Sequence, residues 1–183
     1  MSEGGIFTSE NKKTNEALDW FIHIAIAILA GVLIVTFVAQ RVLVHDISMQ
    51  PTLVEGDNLI VEKLSPRLGG LHRGDIIVFS APNESKQLIK RLIAVEGDFV
   101  EITNGKVSVN GKSDGFFNPD GVETLPGDNP EYSNFVVQKG YIYALGDNRS
   151  FSNDCRNFGP IEIKDVKGRA ILRFYPFSKF GKP

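Results

Sequence analysis

The chain has 183 residues, with 20 Lys and Arg against 22 Asp and Glu, and its formal net charge of −2 leaves no basic footprint for nucleic acid. Its 42% hydrophobic and 23% charged residues are ordinary globular proportions, which excludes a disordered, collagenous or disulfide-dense chain, and a single Cys excludes an internal disulfide. The apolar residues crowd toward the N-terminus and leave a remainder rich in Gly and Pro, so two regions need separate readings.

Residues 1–17 are polar, mixed in charge and without a periodic apolar pattern, and read as a short cytoplasmic tail. Residues 18–42 read as a transmembrane anchor. From Trp20 to Ala39, twenty residues carry no formal charge, and only His23, Gly31 and Thr36 interrupt the apolar run. At about 1.5 Å per residue this gives roughly 30 Å of helix, the thickness of a bilayer core. A buried core helix would keep a polar stripe, and a cleaved secretory signal would have a shorter apolar region with its Ala-x-Ala after it. Here Ala25-Ile26-Ala27 lies inside the run. Lys12 and Lys13 precede the anchor and Arg41 follows it, a bias that places the N-terminus in the cytoplasm and residues 43–183 outside a single-pass cell-membrane protein.

After the anchor the apolar period becomes two. Extended runs are predicted at Asn58–Glu62, Asp75–Phe79, Gln87–Val95, Phe99–Ile102, Lys106–Val109, Phe135–Val137, Tyr141–Leu145 and Ala170–Phe174. Asn104-Gly105 between two of them is a hairpin signal. The expected fold is therefore mostly β, an N-terminal membrane helix followed by a β domain of residues 43–183. The Pro-, Gly- and Asn-containing stretch 111–130 reads as a surface excursion without chemistry that would tolerate insertions.

Asp46-Ile47-Ser48-Met49-Gln50-Pro51-Thr52-Leu53 holds a Ser just ahead of a Pro that fixes the path of the chain. A nucleophilic Ser needs a base. None of the three histidines, His23, His45 and His72, has an Asp partner by motif, so a Ser-His-Asp triad has no support. On the strand Gln87–Val95, alternation places Lys90 on one face with Leu88, Leu92 and Ala94. Such a Lys either snorkels at a sheet edge or loses hydration and becomes a neutral amine able to act as a base. Arg91 points the other way, as a salt-bridging residue. A third element, Gly146–Gly159, is a polar cluster whose hydroxyls could hold a neutral amine and whose Asp and Arg residues could form a stiffening network. A rival reading places a Cys nucleophile at Cys155-Arg156 with His72 as its partner, and another makes the domain a non-catalytic binding module of the export apparatus. No Cys/His cluster with ligand spacing exists to hold zinc.

The blocks Ser-Met-x-Pro-Thr-Leu, Gly-Asp-x-Leu-Ile-Val-x-Lys, Arg-Gly-Asp-Ile-Ile-Val-Phe, Lys-Arg-Leu-Ile-Ala-Val-x-Gly-Asp and Gly-Asp-Asn-Arg-x-x-Ser-x-Asp-x-Arg-x-x-Gly, in that order behind an anchor, resemble bacterial type I signal peptidases of the Gram-positive type. The resemblance implies an antiparallel β catalytic domain, a Ser-Lys dyad endopeptidase that removes signal peptides, and no cofactor. Its partners would be exported preproteins with Ala-x-Ala-like cleavage sites, membrane lipid and the export machinery. By position it implies Ser48 as nucleophile, Lys90 as general base and Ser152 as the hydroxyl orienting that amine. Met49, Pro51 and Thr52 would shape the nucleophile turn, Asp57 would cap a turn, and Asp147, Asn148, Arg149, Asp154, Arg156 and Gly159 would support the site. Two positions depart from the pattern. Asp46 stands where many members have a Ser that donates to the oxyanion, so the oxyanion is expected to rest on the Ser48 backbone N–H, against the repulsion of that carboxylate. Cys155 replaces a frequent Ser and is expected to be partly buried.

Overall fold

The computed structural model describes residues 9–81, 86–113, 118 and 121–183, in two units that divide after Val38. In the first, helix α1 (Ser9–Leu33) runs into a π-helical turn at Ile34–Val38. Leu18–Val38 has a mean hydropathy of 2.7 and buries none of its residues within the chain. Residues 1–8 of the expected tail lie outside the described residues, while Ser9–Ala17 belong to α1 and are not a loose tail. Glu, Lys and Ala are good helix formers, so this stretch can be helical without any apolar period.

The second unit begins with β1 (Ala39–Leu43), which pairs antiparallel with β2 (Asn58–Glu62), Ala39 opposite Glu62 and Leu43 opposite Asn58. The apolar helical segment therefore ends at Val38, and residues 39–42, expected in the anchor, begin the β domain. Composition hid this boundary, because Gln40 and Arg41 read as the polar flank of the anchor and only the pairing of β1 with β2 reveals a strand. A short helix α2 (Ser65–Leu68) leads to β3 (Ile76–Ser80), β4 (Gln87–Ala94), β5 (Phe99–Thr103) and β6 (Lys106–Val109). Asn104 and Gly105 join β5 to β6 with φ of 50° and 74°, the left-handed pair that a two-residue hairpin turn requires. Then come β7 (Asn134–Val136), β8 (Tyr141–Leu145), helix α3 (Cys155–Phe158), β9 (Ile161–Glu162) and β10 (Val166–Tyr175).

The strands form a seven-stranded antiparallel sheet in the order β1-β2-β10-β3-β4-β8-β9 and a three-stranded sheet β6-β5-β7. Alternation along β3 divides the core in two. Ile77 and Phe79 join a cluster with Leu92, Val100, Ile142 and Leu145, whereas Ile76 and Val78 join Val44, Met49, Leu53, Leu59 and Val61. β4 pairs with β3 over Gln87–Arg91 and with β8 over Arg91–Ala94, so the half that carries Lys90 has an open edge on the side away from β3.

The stretch 111–130 is not the free excursion expected of its composition, in the part that the structure describes. Thr124 is buried, its N–H donates to the Gly105 carbonyl at 2.8 Å, and its Oγ1 accepts from Arg149 Nη1 at 2.5 Å. Arg156 Nη1 reaches the Leu125 carbonyl at 3.3 Å. These bonds join residues far apart in sequence, and no local pattern announces them.

Candidate active site

Lys90 is 1% exposed although its part of β4 pairs with β3 alone, so it does not snorkel. Its Nζ donates to Ser48 Oγ at 2.6 Å, and Ser48 is 3% exposed. Burial pushes the Lys90 amine below its ordinary pKa of 10.5, the nearby Asp154 and Asp46 carboxylates oppose that fall, and the Lys86 charge adds to it. A neutral amine at that distance is an acceptor for the Ser48 hydroxyl proton.

Ser48 sits in a turn held from several sides. Met49 and Leu53 are 1% and 0% exposed and sink into the second core cluster. Pro51 follows in the same turn, through a cis Gln50–Pro51 bond. Asn148 clamps the turn from the polar cluster: its N–H donates to the Ser48 carbonyl at 2.9 Å and its Nδ2 to the Ile47 carbonyl at 3.2 Å. Asp57 accepts from the Val54 N–H and from Arg173 Nη1, both at 3.1 Å, and so closes the loop behind the turn.

Arg91, opposite Lys90 on β4, forms a two-bond pair with Asp147, Nε to Oδ1 at 2.8 Å and Nη2 to Oδ2 at 2.6 Å. Thr52 Oγ1 donates to the same carboxylate at 2.6 Å. Asp147 thus ties the strand that carries Lys90 to the turn that carries Ser48. Asp154, at the N-cap of α3, accepts from the Gly146 N–H at 3.1 Å and from Arg156 Nε and Nη2 at 2.8 and 3.0 Å. Arg149 is 2% exposed, donates from Nε to the Gly146 carbonyl at 2.9 Å, and has a pKa lowered by burial to about 10. Arg156 Nη2 bonds the Arg149 carbonyl at 2.6 Å. Gly159 takes φ of 87°, and a side chain there would press on the Tyr132 ring.

At three positions the structure adds what the sequence did not show. The resemblance gave Ser152 the task of orienting Lys90, but Ser152 Oγ is buried without a hydrogen-bond partner. It does lie close to the Ser48 carbonyl, since a side-chain carbon added at Gly146 would strike both Ser152 Oγ and the Ser48 carbonyl oxygen. The Ser48 N–H expected for the oxyanion is already engaged, by Asp46 Oδ1 at 2.7 Å, while Asp46 Oδ2 lies 3.6 Å from Lys86 Nζ. Partial burial pushes the Asp46 carboxyl up, but the Ser48 N–H and the charges of Lys90 and Lys86 outweigh it, and the group stays ionised. Cys155 is fully buried, not partly so, and burial raises its thiol pKa. His72 stands apart from it with its side chain 76% exposed beside Asp75, which removes the Cys-His reading.

Gly146, Thr124 and Lys86 were not singled out by sequence. Only Gly146 carried a usable signal, a Gly opening the polar block directly after a strand, where close backbone approach is common. The dyad opens onto a groove of about 490 Å³ lined by residues 40–46, Ser48, Met49 and residues 86–90. Its walls mix apolar side chains, Val42, Val44, Leu88 and Ile89 among them, with polar and charged ones such as Gln40, Arg41 and Gln87. No cluster of His, Cys, Asp and Glu able to hold a metal occurs among the described residues.

A family model described as signal peptidase, peptidase S26, matches residues 17–175. The chain is 36% identical over 183 residues to signal peptidase IB of Staphylococcus aureus, covering 90% of this chain and 93% of that protein. It is 34% identical over 167 residues to the chloroplastic thylakoidal processing peptidase 1 of Arabidopsis thaliana, covering 84% of this chain and 47% of that one. A crystal structure of a signal peptidase I from Enterococcus faecalis V583 matches 54% of this chain and 95% of its own, with 30% identity and a TM-score of 0.43.

Proposed function

This chain belongs to the signal peptidase family, peptidase S26, and we propose that in the removal of signal peptides by this serine peptidase Ser48 is the nucleophile and a neutral Lys90 the general base. The observation that carries the reading is the 2.6 Å contact between Lys90 Nζ and Ser48 Oγ in a buried setting that favours the uncharged amine.

Lys90 Nζ takes the hydroxyl proton as Ser48 Oγ attacks the scissile carbonyl carbon. The tetrahedral oxyanion is received by the Ser48 N–H, which Asp46 must first release. The new Lys90 ammonium returns its proton to the leaving amine. Water, deprotonated by Lys90, then adds to the acyl-Ser48 carbonyl, and Lys90 passes that proton to Ser48 Oγ as the signal peptide leaves with its new carboxylate. Ser152, whose unpartnered hydroxyl faces the same point as the Ser48 carbonyl, steadies the amine between these steps. Met49, Asp147, Asn148, Arg149, Asp154 and Arg156 hold the two halves in register.

The apolar part of the groove, with Val42, Val44, Leu88 and Ile89, supports a substrate whose small residues precede the cut in an Ala-x-Ala-like pattern. Leu18–Val38 would anchor the enzyme in lipid, with Lys12 and Lys13 on the cytoplasmic side and catalysis outside, beside the export machinery. The test uses the full chain in detergent with a preprotein. Wild type should cut after Ala-x-Ala and fail when the last Ala is replaced by Phe, and Ser48→Ala should be inert. Cleavage by Ser48→Ala at the wild-type rate would overturn the reading.

A further inference from the structure

The Ser48 N–H cannot serve two anions at once. Its single hydrogen points at Asp46 Oδ1, 2.7 Å from the nitrogen, and an oxyanion forming on the acyl carbon would meet an ionised carboxylate at its own donor. Yet the other Asp46 oxygen already faces a cation, Lys86 Nζ, at 3.6 Å. Lys86 directly precedes β4, and alternation along that strand puts Lys86, Leu88 and Lys90 on one side. Asp46, Lys86, Leu88 and Lys90 line a common cavity of about 380 Å³ next to the dyad. Both members of the pair keep about half of their side-chain surface in water, 43% for Asp46 and 60% for Lys86, so the carboxylate is free to turn.

We propose that Lys86 is a positioning residue of the reaction: it receives the Asp46 carboxylate as the oxyanion takes over the Ser48 N–H, and its charge offsets the repulsion that Asp46 would otherwise exert on the transition state. The inference rests on the Ser48–Lys90 reading. A ligand moves such an equilibrium only through a difference in affinity for the two arrangements, and the oxyanion supplies it, since it bonds the N–H only in the arrangement that Asp46 has left. Without Lys86 the displaced carboxylate is left with the Lys90 charge alone, which the reaction itself uses, and the transition state loses stabilisation that the bound substrate never used.

The test is a double-mutant cycle on Asp46 and Lys86, with kcat and KM measured on one signal-peptide substrate in detergent. Lys86→Met should lower kcat on the order of tenfold, below the full 10²–10³-fold worth of one oxyanion donor, with KM little changed. Lys86→Arg should restore most of it. In the Asp46→Ala background, where nothing covers the N–H, Lys86→Met should have no effect, and Asp46→Ala itself should turn over at least as fast as wild type. Equal losses in both backgrounds, or a loss confined to KM, would assign Lys86 to structure or substrate binding and overturn the proposal. No loss in Lys86→Met would overturn it as well. The parallel Ser48→Ala and Lys90→Ala variants separate the two readings: if both are inert while the cycle is additive, the dyad stands and only the role of Lys86 fails.

Discussion

Lys90 Nζ lies 2.6 Å from Ser48 Oγ, although the two residues are 42 positions apart and both are buried. Burial lowers the pKa of the Lys90 amine below the 10.5 it has in an unfolded chain, so between the two values the unfolded state binds one more proton. Stability therefore climbs with pH through that window, and below it the folded protein bears the cost of keeping the amine dry. Lys90→Met should remove that cost and the activity together. The variant should be inactive and melt at a higher temperature at neutral pH, by about 2–4 °C for each kcal/mol released. Thermal unfolding followed by circular dichroism checks it, and a Tm below that of wild type would contradict it.

Asp147→Ala should be among the most damaging changes outside the dyad. It strips Arg91, 14% exposed, of both bonds to a carboxylate and leaves Thr52 Oγ1 without its acceptor. Breaking a buried pair by removing one partner costs about 3–5 kcal/mol, whereas Thr52→Val, which deletes one bond to a charged group, should cost about 1.5–3 kcal/mol. Urea unfolding of the two variants should reproduce that order.

Much of this arrangement was written locally, and the part that was not has a common physical cause. The membrane helix announced itself by the uncharged run from Trp20, the β5–β6 hairpin by Asn104-Gly105, and β2, β6 and β8 by alternation within their observed bounds. The resemblance placed Ser48 and Lys90, and alternation alone put Lys90 on an apolar face. β1 escaped because it adjoins the helix directly and its Gln40 and Arg41 read as the polar flank of the anchor, and β9 because two residues carry no period. Thr124 and Lys86 escaped because their partners, Arg149 and Asp46, are brought to them only by the fold. The Asp46–Ser48 bond is the exception. It spans two residues, the Asx-turn geometry of an Asp accepting from the backbone two positions on, and was legible in principle.

Gly146→Ala should disable the enzyme without unfolding it. The added methyl would strike Ser152 Oγ and the Ser48 carbonyl oxygen, and Ser48 must shift to admit it. A misplacement near 1 Å costs on the order of 100-fold in rate, so kcat should fall by about that factor. Steady-state kinetics beside an unchanged circular dichroism spectrum provide the check.

Cys155 should be chemically silent. Its thiol is fully buried, its pKa is raised by burial, and its Sγ accepts from the Ala144 N–H at 3.2 Å. Iodoacetamide should leave the native enzyme active and alkylate it only after unfolding, and Cys155→Ser should retain most activity because a hydroxyl can accept the same bond. Rapid loss of activity on alkylation of the folded protein would contradict this.

The most direct test of the catalytic role of Lys90 is the titration of its amine, followed by NMR on the full chain in detergent with 13C at the lysine ε-carbons. One resonance, missing from Lys90→Arg, should titrate below 10.5, and the same pKa should govern the rise of kcat/KM with pH. A Lys90 resonance that titrates at or above 10.5, in an enzyme already at full activity at neutral pH, would contradict the assignment of Lys90 as the base.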